Sequence, residues 1–182
     1  NALLNKKHVF CEKPLCVNAS ELKEIKSFFK KKKVAPILVT GFNRRFSKSA
    51  KILKDFIKES TSPIFLNYTV NADKLLPNSW IYSREGGGRN IGEACHFYDL
   101  ILFLINDKYT NIQVSSINSD NKNLHKTDNF FVTIKFNNGS VAKLNYTSAG
   151  STNDKKEIIE VRNISETLIM ENFQKITLTK KS

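Results

Sequence analysis

The sequence predicts two joined architectures: the end of a doubly wound α/β sheet, then a mostly antiparallel open sheet with covering helices, or α/β plus α+β. Three observations predict it. Residues 1–40 read as strand, helix, strand. Residues 64–71 alternate apolar and polar side chains with a period of two. Asn137-Asn138-Gly139 joins two alternating runs as a tight hairpin would.

Each element has a local reason. Lys7–Glu12 is a short strand after the tail of a helix. Asn18 stands three positions before Glu21, the spacing of a capping box. Leu22, Ile25 and Phe29 then fall on one helical face. The run Lys30–Lys33 closes this helix, where cations complement the negative end of the dipole. Pro36–Thr40 is apolar enough for a strand buried in a parallel sheet. Two strands bridged by one helix are the end of a doubly wound sheet and not a whole one. The expected domains are therefore 1–41 and 42–182.

Ser47 caps a helix running to about Glu59, with Ile52, Leu53, Phe56 and Ile57 as its stripe. From Ile64, the side chains of Ile64, Leu66, Tyr68 and Val70 point one way, and those of Asn67, Thr69 and Asn71 the other. A loop with Pro77, Trp80 and Gly86-Gly87-Gly88 leads into a helix from Gly92 to Ile105. Strands follow near 112–118, 129–136, 140–147, 156–162, 167–171 and 174–179.

Composition narrows the function classes. The 182 residues are 40% hydrophobic and 25% charged, a globular balance. The longest apolar run, Leu100–Ile105, is far short of the roughly 20 residues of a membrane span. No signal pattern opens the chain, which begins with Asn, and the expectation is that the start is a cut. Cys11, Cys16 and Cys95 form no Cys-x-x-Cys, and His8, His96 and His125 are scattered, so no metal site is expected. These read as free thiols in a cytoplasmic protein. A net charge of +12 raises nucleic acid as a partner, but no aromatic residues interleave with the lysine run to stack on bases. The charge reads as a solvated surface, with neither nucleic acid nor membrane as partner.

Three constellations carry chemistry. Cys11-Glu12-Lys13-Pro14 sits at the carboxyl end of a strand, where open α/β sheets place ligands. A lysine there can shuttle a proton to a substrate hydroxyl. Gly41-Phe42-Asn43-Arg44-Arg45-Phe46 follows the next strand, and its guanidinium groups can fork onto oxyanions. In Gly86-Gly87-Gly88-Arg89-Asn90-Ile91-Gly92-Glu93-Ala94-Cys95-His96-Phe97-Tyr98-Asp99, the glycines let backbone approach a ligand closely. Glu93, His96 and Asp99 then recur at spacings of three, roughly one helical face, as a proton relay would.

In order and spacing, the three together resemble the Gfo/Idh/MocA oxidoreductases. Lys156–Arg162 and Thr167–Phe173 look like that family's late strands. Ser79-Trp80-Ile81-Tyr82 and Ile91–Phe97 look like a bacterial subgroup, some of whose members are fused to a zinc-alcohol-dehydrogenase-like segment and are often encoded near polysaccharide genes. The resemblance implies that 1–41 is the C-terminal stub of a Rossmann sheet. It implies that 42–182 is the substrate and oligomerisation domain. The implied activity is NAD- or NADP-dependent oxidoreduction of a sugar, sugar nucleotide or cyclitol. Lys13 matches the family's catalytic lysine and His96 its acid/base or substrate-orienting histidine. Glu12, Lys13, Pro14, Asn43 and Arg44 match positions on the cofactor side. Lys13, Arg44, Trp80, Arg84 and His96 match positions on the substrate side.

Two departures stand out. Many members carry Asp four residues before the histidine; here that residue is Gly92, and Glu93 beside it is the candidate replacement in the relay. No Gly-x-Gly-x-x-Gly occurs, so the pyrophosphate cradle and the residue that selects NAD or NADP are not in this sequence. The chain alone is therefore expected to turn over little or not at all and to expose apolar sheet edges. The competing reading is a non-catalytic open-sheet domain. In the family the open face commonly packs on another subunit, and strand 64–71 with hairpin 129–147 supplies such a face for a homo-oligomer.

Overall fold

The computed structural model describes residues 1–31, 34–118, 120 and 126–181. Lys32, Lys33 and His125 lie outside the described residues. The elements in order are β1 (Val9–Cys11), α1 (Ala19–Lys30), β2 (Leu38–Thr40), a 3-10 turn (Asn43–Phe46), α2 (Lys48–Glu59) and β3 (Phe65–Asn71). A second 3-10 turn (Trp80–Tyr82), α3 (Gly88–Gly92) and α4 (Cys95–Ile105) follow. Then come β4 (Tyr109–Ser116), β5 (Phe130–Phe136), β6 (Val141–Thr147), β7 (Glu157–Arg162), β8 (Glu166–Glu171) and β9 (Lys175–Lys180).

The chain divides into two compact units. The first comprises Asn1–Asn43 with Pro77–His96; the second comprises Arg44–Leu76 with Phe97–Ser182. The division falls inside α4, between its second and third residues.

In the first unit β1 and β2 pair in parallel, Val9 with Leu38 and Cys11 with Thr40. Helix α1 starts where the capping box predicts: Asn18 Oδ1 accepts from Glu21 N at 3.0 Å, and Glu21 Oε2 accepts from Val17 N at 2.9 Å. No residue of α1 is buried, and Phe10 and Val39, partners across the β1–β2 pair, are exposed.

The second unit is a seven-stranded sheet in the order β4-β5-β6-β3-β7-β8-β9, parallel only between β3 and β6. One face is the core. Leu66, Tyr68, Val70, Ala142, Leu144, Tyr146, Ile159 and Val161 all point into it with no more than 1% exposure. Helix α2 adds Ala50 and Leu53, and α4 adds Phe97, Leu100, Ile101 and Leu104. Ser47 caps α2 through its side chain, which accepts from Ala50 N at 3.0 Å. Removing a side chain as buried as Leu53 costs about 2–5 kcal/mol. The other face carries Asn67, Thr69, Lys143, Asn145 and Thr147, all half-buried, as the period-two pattern requires.

One expectation is corrected. The helix predicted from Gly92 to Ile105 is broken: α3 ends at Gly92, Glu93 takes φ −124° and ψ −51°, and α4 restarts at Cys95. Glu93, His96 and Asp99 therefore do not share a single helical face. The break follows directly on the close backbone approach at Gly92 described below.

Candidate functional site

Lys13 lies two residues past the end of β1, and the Lys13–Pro14 peptide bond is cis. Its Nζ donates to the carbonyl oxygen of Gly92 at 2.7 Å. The ammonium is half-buried and is held against the segment that leads into α4. Two turns of sequence logic meet here. The carboxyl end of a parallel strand supplies the lysine, and a glycine-rich crossing supplies its acceptor.

Gly92 can be nothing larger in this backbone. A Cβ built on it would lie 2.5 Å from the carbonyl oxygen of Gly86, and one on Gly86 would lie 2.5 Å from the carbonyl oxygens of Trp80 and Ile81. Three backbone passes are thus stacked with no room for side chains. A side chain at position 92 has no space, and the main-chain carbonyl of Gly92 takes the lysine's hydrogen bond.

His96, the second residue of α4, is buried to 7% exposure. Its backbone N–H donates to Glu93 O at 3.1 Å, and its ring meets Phe42 edge to face, centroids 5.9 Å apart. Glu93 Oε2 accepts from Arg89 Nη1 at 3.0 Å, and Arg89 itself is 2% exposed. Lys13, Glu93 and His96 are therefore in one unit, with Lys13 bonded to the residue that precedes Glu93.

Of the residues expected on the cofactor side, Glu12, Lys13, Pro14 and Asn43 lie at or just beyond the carboxyl ends of the parallel pair. Gly41 N donates to Cys11 O at 2.8 Å, which continues the pairing past Thr40. The Glu12 carboxylate lies against Gly41, 3.1 Å from where a Cβ would stand. Pro14 is half-buried and Asn43 exposed. Trp80 is 61% exposed at the start of its 3-10 turn, and Arg84 is exposed.

Arg44 belongs to the second unit, where its guanidinium is engaged. Its Nε and Nη2 donate to the two Glu157 carboxylate oxygens at 3.0 and 2.6 Å. The Tyr68 hydroxyl donates to the same carboxylate, and the guanidinium lies 4.9 Å from the centroid of Phe97. Burial alone would lower the Arg44 pKa; Glu157 outweighs it and holds the group above its ordinary value. Burial, joined by the Glu157 charge, pushes the Tyr68 phenol well above its ordinary value. Arg45 and Asp99 form a second forked pair, Nε to Oδ2 at 2.5 Å.

Two features went unread in the sequence. Arg89, at i−4 from Glu93, carried a helical ion-pair spacing that was available. Glu157 carried no signal, because its partners lie 113 and 89 positions away. The second unit also has a polar cleft at the carboxyl ends of β3 and β6, lined by Asp73, Lys74, Asp154 and Lys156 among others. Among the described residues no group of His, Cys, Asp and Glu side chains could hold a metal ion, and no helix is long and apolar enough to cross a membrane.

Residues 61–162 match the family described as Gfo/Idh/MocA oxidoreductase, C-terminal alpha/beta domain, and residues 1–40 match its NAD-binding Rossmann fold. An uncharacterized oxidoreductase, YrbE of Bacillus subtilis, is 30% identical over 75% of this chain and 40% of its own length. A myo-inositol 2-dehydrogenase of Thermotoga maritima is 35% identical over 57% of this chain and 30% of its own. The chain thus spans less than half the length of these two relatives. Levoglucosan dehydrogenase, solved with NADH and L-sorbose, shares the fold at a TM-score of 0.78 and 20% identity over 100% of this chain and 52% of that one. With a match that covers more than half of its residues, the chain belongs to the Gfo/Idh/MocA oxidoreductase family.

Proposed function

We propose that the protein is a nicotinamide-dependent oxidoreductase of a sugar, sugar nucleotide or cyclitol, in which Lys13 and His96 manage the proton of the reacting hydroxyl. The observation that carries this reading is the 2.7 Å bond from Lys13 Nζ to Gly92 O, which holds an ammonium in the unit that contains the buried His96. NAD or NADP, when bound, supplies the carbon that takes or gives the hydride. The residues suited to its nicotinamide end are Glu12, Lys13, Pro14 and Asn43, at or just beyond the carboxyl ends of two parallel strands.

Lys13 donates to the substrate hydroxyl oxygen and stabilises it as its proton leaves. His96 accepts or orients that proton, with Phe42 against its ring. Glu93, oriented by Arg89, supplies the negative charge of the relay from its new direction. In this reading Trp80 and Arg84 meet the substrate, which their exposure in the loop supports. Arg44, forked onto Glu157, acts as a framework residue and not as a ligand-binding one. Two relatives support the substrate class: the myo-inositol 2-dehydrogenase, and the levoglucosan dehydrogenase solved with NADH and a sugar.

The protein is read as a cytoplasmic homo-oligomer through the open sheet face, where apolar Phe65, Phe131 and Ile158 flank the Asn67–Asn145 hydrogen bond of 2.9 Å. Residues 1–182 alone are expected not to turn over, since they lack a glycine-rich pyrophosphate cradle. The test is a screen of the whole protein with NAD and NADP against polyols, sugars and cyclitols. Saturable oxidation of one of these is the expected result; reduction of neither nucleotide by any of them would overturn the substrate class.

A further inference from the structure

Among the described residues the seven-stranded sheet has two edges with no paired strand, and they differ in kind. At one, β9 reads Lys-Ile-Thr-Leu-Thr-Lys, and Lys175 and Lys180 close its ends in ion pairs with Glu171 and Glu166. Antiparallel pairing of this strand with a copy of itself about its centre would set Lys175 against Lys180, like charge on like charge. Lysines on an edge strand are a recognised guard against strand addition.

At the other edge, β4 carries no charge at all from Tyr109 to Asn118. All eight of its residues are exposed. Ile112 and Val114 are 50% and 64% exposed although they point to the core side of the sheet, being cross-strand partners of the buried Ile134 and Val132. An uncharged edge with an apolar pair on it is what natural sheets avoid unless the edge is covered.

The register identifies the cover. Antiparallel pairing of β4 with a second β4 about Gln113 sets Ile112 opposite Val114 and Val114 opposite Ile112. On the other face it sets Asn111 opposite Ser115. Apolar meets apolar and polar meets polar on every central position, with no charge opposed. We infer that the β4 edge is a self-association surface, on which a second copy of this chain adds its own β4 to make one continuous sheet. This is an edge contact. It is separate from stacking through the open face and holds whether or not the oxidoreductase reading does.

The two-fold axis passes through Gln113, so two copies of that residue would have Cα atoms about 4.5–5.5 Å apart, within the reach of a disulfide. Two copies of Ser116 would be about 20 Å apart along the strands. Mild oxidation of the whole protein carrying Gln113→Cys should yield a covalent dimer beyond what the parent, with its own three cysteines, forms. Ser116→Cys should not. Val114→Lys should weaken association by at least roughly tenfold, read by sedimentation. Failure of Gln113→Cys to cross-link, equal cross-linking at both positions, or association unchanged by Val114→Lys would each overturn the proposal.

Discussion

The two units place their burial differently. In the second, buried side chains are spread over both helices and along the core face of most strands, from Ala50 to Met170. In the first, among the described residues, α1 buries nothing and β1 and β2 are at most half-buried. Its buried positions are Gly41, just past β2, and a cluster at Ile81, Gly86, Arg89, Gly92, Ala94 and His96. Order in this unit is concentrated where backbone crosses backbone, beside Lys13. The difference teaches that substitutions in the second unit act through cavities and stranded charge. In the first they act through geometry at a single crossing.

That contrast can be broken most severely at Glu157. Glu157→Ala leaves Arg44 and Tyr68 without their shared acceptor and should cost about 3 kcal/mol of the second unit's stability, measured by urea unfolding. Pairing Glu157→Leu with Arg44→Met should recover most of it, since an apolar pair of similar volume removes the stranded charge. A loss below about 1 kcal/mol for Glu157→Ala would mean that the pair is a surface one.

Gly92→Ala tests the other side. The added methyl must displace the Gly86 carbonyl, and a shift of about 1 Å at Lys13 should lower turnover roughly 100-fold. The second unit's unfolding should stay where it is. Unchanged turnover would show that the crossing is looser than described.

The smallest effect is at Tyr68. Its phenol has a raised pKa in the fold, while in the unfolded chain it ionises near 10. The folded state therefore holds the proton more tightly. The stability from this group is complete below about pH 10 and declines as pH rises beyond it. Tyr68→Phe should cost about 1 kcal/mol at neutral pH and flatten the alkaline limb of the stability curve. An alkaline limb identical to the parent's would rule out this assignment.

Local chemistry was legible in the sequence. Asn18 and Ser47 cap the helices they were expected to cap, and the alternation of residues 64–71 set the faces of β3. The α/β stub and the mostly antiparallel sheet follow from such signals. What could not be read were the long-range closures. Lys13 and Gly92 are 79 positions apart, and Arg44 and Glu157 are 113 apart. The stretch Ile91–Cys95 is compatible with helix on its own terms, yet α3 ends at Gly92, beside the Gly86 carbonyl, and α4 begins only at Cys95. The motifs singled out Lys13 and His96, but the close backbone packing around Gly92 could not be read from them.

The most direct measurement is turnover and nucleotide affinity of the whole protein with Lys13→Met, compared with the parent at saturating substrate. Turnover should fall by about 10²–10⁴-fold, far more than nucleotide affinity does, and the protein should still unfold cooperatively. Turnover within about tenfold of the parent would contradict the assignment of Lys13 to the reacting hydroxyl.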